Sequence, residues 1–131
     1  MVRDNGTALN IEPDEYFKGK VAVITGASSG IGKELAYQLA AKGAVVDICA
    51  RSEHKLATIV DSIRKAGLRA DYHVVDVTER QQVAKYAADI VRKYGKMDIA
   101  INNAGIGILG LFLEIPLSEM ERLLKKILIL K

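Results

Sequence analysis

The stretch Val21-Ala22-Val23-Ile24-Thr25-Gly26-Ala27-Ser28-Ser29-Gly30-Ile31-Gly32 decides how the rest of the chain is read. Its first four residues form a short apolar run of the kind found in a strand buried on both faces. Glycines at 26, 30 and 32 follow at once. From Gly30 the pattern turns helical, with Ile31, Leu35 and Leu39 on one side and Gly43 as the stop. A strand, a glycine-rich turn and a helix start in direct succession suit a diphosphate. The helix start offers unpaired N–H groups and the positive end of the helix dipole, and glycines let the phosphates approach the backbone.

The same alternation continues downstream. Residues 44–50 predict a second strand, and Ser52 caps a helix whose Leu56, Ile59, Val60 and Ile63 share one face before Gly67 ends it. A third strand is expected over 72–77. Thr78 with Gln81 reads as a capping box that opens the next helix, whose stripe is Val83, Tyr86, Ala87, Ile90, Val91 and Tyr94, closed by Gly95. Residues 97–102 predict a fourth strand, followed by a loop with Gly105, Gly107 and Gly110. Ser118 with Glu121 then opens a last helix lined by Met120, Leu123, Leu124, Ile127 and Leu128. Strands alternating with helices require a parallel sheet with helices on both faces. The expected fold class is α/β, a Rossmann-type doubly wound parallel sheet. Residues 1–18 lack periodicity and are expected to be a loose arm, leaving 19–131 as the nucleotide-binding domain.

Composition narrows the classes. The chain has 131 residues, of which 50% are hydrophobic and 27% charged, a globular balance. The net charge of +3 is spread along the sequence with no basic block, which argues against a nucleic-acid partner. The single cysteine, Cys49, lies in an apolar run and reads as a buried small side chain in a reducing compartment. Residues 1–20 hold no apolar segment suited to a signal peptide, and no run reaches the ~18 apolar residues of a membrane span. A soluble, cytoplasmic protein is expected. His54 and His73 have no partner at metal-ligand spacing, so no metal site is expected.

Thr25 to Gly32 follows T-G-x-x-x-G-x-G rather than the common G-x-G-x-x-G, and in this it resembles the short-chain dehydrogenase/reductase family. Asn102-Asn103-Ala104-Gly105 at the end of the fourth predicted strand resembles that family's N-N-A-G motif, and Asp76-Val77 its adenine-contacting dipeptide. The resemblance covers about residues 20–121. It implies a cofactor site in which Gly26, Ser28, Ser29, Gly30, Ile31 and Gly32 hold the pyrophosphate. Asp76 and Val77 then meet the adenine, while Asn103, Ala104 and Gly105 pass beside the adenosine ribose. All of these positions fall at the carboxyl ends of predicted strands, where doubly wound sheets bind ligands.

Cofactor choice turns on the end of the second strand. An acid there hydrogen-bonds the ribose hydroxyls of NAD, whereas a basic residue pairs with the 2′-phosphate of NADP. Counted as in the family, the acid position is Ala50 and the next residue is Arg51, a pattern similar to NADP-preferring members; NADP is expected, with NAD as the alternative. Asp47 competes by its spacing of about 20 residues from Gly26, but Ile48, Cys49 and Ala50 still read as strand after it. An aspartate inside a strand has no account at this level.

The resemblance also implies a hydride-transferring oxidoreductase acting on a carbonyl or alcohol, with a catalytic serine and a Tyr-x-x-x-Lys pair. Those residues belong to the family's C-terminal half and are not found here, so no catalytic residue is assigned. Tyr16 and Lys20 stand at the right spacing, but they precede the first strand. Ile127 falls where the family usually carries an asparagine, and Lys125 to Lys131 depart from the expected continuation. The expectation is an incomplete domain, inactive alone, whose small-molecule substrate needs a full-length form and whose family oligomer interface is absent. Ile99 and Ile101 would then lie at or near an open sheet edge, with marginal stability as the consequence. The alternatives are a non-catalytic dinucleotide-binding module or a truncated product without activity. Steroid, sugar, fatty-acyl ketone and xenobiotic substrates all remain open.

Overall fold

Every residue of Val21–Thr25 is buried, and this strand, β1, is central in the sheet of the computed structural model, which describes residues 1–104. β1 pairs in parallel with β2 (Val45–Ala50) on one side and with β4 (Ile99–Ile101) on the other. β3 (Ala70–Val74) pairs in parallel with the far side of β2, so the spatial order is β3-β2-β1-β4. Helices α1 (Gly30–Ala41), α2 (Glu53–Lys65) and α3 (Arg80–Tyr94) connect the strands. This is the doubly wound α/β arrangement that the alternation of patterns predicts. The chain leaves β1 for β2 on one side and returns from β3 to β4 on the other, and that reversal opens a crevice at the strands' carboxyl ends.

Two cores flank the sheet because successive strand residues point to opposite faces. Ala22 and Ile24 of β1, with Val46, Ile48 and Ala50 of β2, pack against α1 and α2. The intervening Val21, Val23, Val45 and Cys49 face α3, where they meet Val83, Tyr86 and Ile90. A fully buried aliphatic side chain contributes about 1.5–3 kcal/mol, so the apolar run of β1 outweighs its modest length as a source of stability. Gly43, Gly67 and Gly95 follow the three helices with left-handed φ values of 96°, 77° and 77°, as their reading as helix stops requires.

Several expectations shift. β3 starts at Ala70 and ends at Val74 rather than spanning 72–77, because its ladder with β2 runs from Val46↔Ala70 to Ala50↔Val74. β4 is shorter than 97–102. Thr78 does not cap α3: its hydroxyl donates to Asp76 Oδ1 at 2.6 Å, and Glu79 occupies the cap position. Ile31 is 73% exposed, while Leu39 is buried and Leu35 packs against the core as expected, joined by Ala36, Tyr37 and Ala40. Val91 is likewise exposed. The predicted last helix, with Gly107, Gly110, Ser118, Glu121 and Ile127, lies outside the described residues.

The first 18 residues are not loose. Met1, Leu9 and Phe17 pack against the α1/α2 core, and an antiparallel bridge joins Val2 to Ala8. Arg3 makes a two-pronged contact with Glu34 of α1, at 2.7 and 3.1 Å, and the Tyr37 hydroxyl accepts from the Asp4 amide at 3.2 Å. The guanidinium holds the Glu34 carboxyl below its usual range. Absence of periodicity hid this docking, since it rests on single contacts rather than on a repeating face.

Candidate dinucleotide cradle

The turn from β1 to α1 is shaped by three glycines with different physical reasons. Gly26 has φ +65°, and a Cβ there would lie 2.7 Å from Ala104 Cα and 2.9 Å from its nitrogen. Gly32 is buried; a Cβ would overlap the Asn103 side-chain amide and sit 2.8 Å from the Gly26 carbonyl oxygen. Gly30 has φ +60° and open space around it, so only its backbone conformation demands glycine.

The segment after β4 is stitched onto this turn. Asn103 Nδ2 donates to the Gly26 carbonyl at 3.1 Å, and the Ala104 amide donates to the Thr25 hydroxyl at 3.0 Å. From the other side, the Ala27 amide reaches the Cys49 carbonyl of β2 at 3.4 Å. Ser29 precedes α1 in an extended conformation with no side-chain cap, and the first turn of α1 holds no acidic residue. The dipole's positive end is therefore left uncompensated by the helix itself.

Above the turn lies a cavity of about 780 Å³, a size ordinary for small-molecule sites. Its near wall is Gly26 with Ser28, Ser29, Gly30 and Ile31. Arg51 closes it at the end of β2, Asp76 and Val77 after β3, and Asn103 and Ala104 after β4. The predicted residues thus converge from four strand ends. Gly32 lies beneath the wall rather than in it, and Gly105 falls outside the described residues. Ala50, read from the sequence as the acid position, also lines the cavity. Ser52 and Val75 line it without having been predicted, and each adjoins a predicted residue, which is the signal that could have found them.

Residues 20–127 match the short chain dehydrogenase family. The chain belongs to that family. Among proteins similar to this short-chain dehydrogenase chain, an 11-beta-hydroxysteroid dehydrogenase of Pinus massoniana is 39% identical over 108 residues, covering 82% of this chain and 30% of the relative. A metagenomic short-chain oxidoreductase solved in complex with NADP superposes with a TM-score of 0.74 at 34% identity, covering 83% of this chain and 50% of that one. A short-chain dehydrogenase/reductase from Burkholderia phymatum, solved in complex with NAD, gives a TM-score of 0.75 at 34% identity over 86% of this chain and 40% of its own. The chain spans about a third of the length of the curated relatives it matches.

The titratable groups divide sharply between this cavity and the rest of the short-chain dehydrogenase chain. Among the described residues, Arg51 and Asp76 are the ionisable side chains in the lining. Asp76 Oδ1 accepts from the Thr78 amide at 2.9 Å as well as from its hydroxyl. Lys20 Nζ lies 4.8 Å from the Tyr16 ring centre, and neither residue lines the cavity. Cys49 is buried, and burial pushes its thiol up to about 12. Among the described residues, no group of three His, Cys, Asp or Glu side chains is placed to share a metal ion, and no helix is long and apolar enough to cross a membrane.

Proposed function

We propose that this chain is the dinucleotide-binding part of an oxidoreductase that transfers hydride between NADP(H) and a carbonyl or alcohol, and that alone it binds cofactor without turnover. The observation that carries the reading is the cradle: four strand ends meet around a turn from which Gly26 and Gly32 exclude side chains. The α1 amino end and the turn's amides would hold the pyrophosphate. Asp76, Val77, Asn103 and Ala104 would bound the adenosine. Arg51, exposed in the lining beside Ala50, would pair with a 2′-phosphate, as a basic residue does where an acid would favour NAD. When bound, the nicotinamide supplies the hydride.

Support for the lack of turnover comes from the lining itself. Among the described residues no tyrosine, histidine or lysine lines the cavity, and Arg51 and Asp76 are its ionisable side chains, so a tyrosine–lysine pair of the kind the family uses is not among them. Titration with NADPH and NADH tests the binding reading. NADPH is expected to bind at least about tenfold tighter, a gap of about 1.4 kcal/mol, and Arg51→Ala to remove the difference. Equal affinities unchanged in Arg51→Ala would overturn the NADP reading, and steady ketone reduction by the purified chain the second half.

A further inference from the structure

Asp47 is fully buried in the middle of β2, on the sheet face that α3 covers, and among the described residues it is the one charged side chain so placed. Its carboxylate is surrounded by donors from two other elements. Oδ1 accepts from His73 Nδ1 of β3 and from the Tyr86 hydroxyl of α3, both at 2.9 Å, and Oδ2 accepts from the Tyr94 hydroxyl at 2.8 Å. A carboxylate can only accept, so His73 carries its proton on Nδ1. This explains the aspartate in an apolar strand. A buried carboxylate without donors is strongly unfavourable, and here each oxygen is satisfied.

The three bonds do not have equal consequences. Tyr86 and Tyr94 tie α3 to the sheet centre. His73 ties β3, the outer strand of the described sheet, whose ladder runs to β2 alone among the described residues. In register His73 lies opposite Cys49, so its bond to Asp47 runs diagonally across the two strands. The His73 ring also rests 4.9 Å from the Tyr86 ring. Three residues beyond His73 the chain reaches Asp76, which lines the cradle and whose amide donates to Gln82 Oε1 at 2.8 Å.

We propose that the His73–Asp47 pair is a positioning device for the cradle: it sets the carboxyl end of β3, and thereby places the turn 75–77 that receives the adenine. The inference rests on the dinucleotide reading above. Two ligands divide the site. Adenosine 2′,5′-bisphosphate reaches the turn 75–77, whereas inorganic pyrophosphate occupies the glycine turn alone.

The experiment titrates both ligands into the full chain and into variants shown to be folded by melting. His73→Ala is expected to weaken the bisphosphate by about tenfold, the loss of one well-placed hydrogen bond, with pyrophosphate unchanged. Should His73→Ala not fold, His73→Gln, whose amide matches Nε2 rather than Nδ1, is expected to give the same split. His73→Asn places an amide where Nδ1 stands and is expected to restore affinity. Tyr94→Phe removes another bond to the same carboxylate while leaving the His73 bond from β3 in place, and should alter neither ligand. Equal bisphosphate affinity in wild type and His73→Ala, or equal losses in His73→Ala and Tyr94→Phe, would overturn the positioning role alone. Failure of the wild-type chain to bind either ligand would overturn the dinucleotide reading, and this inference with it.

Discussion

Asn103 Nδ2 donates across 3.1 Å to the carbonyl of Gly26, a residue 77 positions earlier in the chain, and so locks the end of β4 to the turn after β1. Gly32 lies directly under that bond, because any Cβ there would enter the space of the same amide and carbonyl. The glycine at position 32 is therefore enforced by a tertiary contact, independently of any ligand.

Gly32→Ala and Gly30→Ala should consequently behave differently. At 32 the methyl must displace Asn103 or Gly26, an overpacking defect of about 1–3 kcal/mol that also deforms the cradle. At 30 the methyl enters open space, and only the left-handed backbone is penalised, by about 1–2 kcal/mol. Urea unfolding should find both variants destabilised, while NADPH titration should show binding lost in Gly32→Ala and largely kept in Gly30→Ala. Identical binding defects would show that the contact with Asn103 does not shape the site.

Acid should weaken the join between β1 and β4. Asp98 Oδ2 accepts from the Val21 amide at 2.8 Å and from Lys96 Nζ at 3.1 Å, and these contacts, the amide foremost, hold its carboxyl below the ordinary range. A carboxyl with a depressed folded-state pKa contributes stability above its unfolded pKa, ~3.9, and loses it as pH falls through the lower folded value. Asp98→Asn should thus melt below wild type at pH 7, with the two curves converging under pH 4. Parallel curves down to pH 3 would remove Asp98 from the acid response.

Thiol labelling gives a direct readout of the α3 face. With Cys49 buried and its thiol raised to about 12, little thiolate exists near pH 8. Iodoacetamide should leave the native chain unmodified over an hour and react fully in denaturant. Rapid stoichiometric labelling of the native chain would mean that α3 does not cover β2 as described.

Much of the fold was legible because its signals are local and repeated. The continuous apolar run of β1, the i, i+3, i+4 spacing of Leu56, Ile59, Val60 and Ile63, and the glycines that end each helix report structure without reference to distant residues. The cradle was legible for a related reason: Gly26, Arg51, Asp76 and Asn103 each mark a strand end, and a doubly wound sheet brings such ends together. Where signals were single rather than repeated, reading failed. Thr78 and Gln81 match a capping box, yet Asp76, two residues upstream of Thr78, captures the threonine hydroxyl. The amino-terminal arm was missed because Arg3 and Asp4 find their partners 31 and 33 residues away.

By itself the sequence determined the alternation of strands and helices, the parallel sheet that alternation requires, and the strand ends where a ligand can sit, since all three follow from local periodicity and chain connectivity. Only the tertiary structure decided the meaning of Asp47. Its three donors come from positions 26, 39 and 47 residues away, and no periodicity links them. A buried charge is tolerated only where folding brings enough donors to replace water, and that condition exists once β3 and α3 have closed over β2.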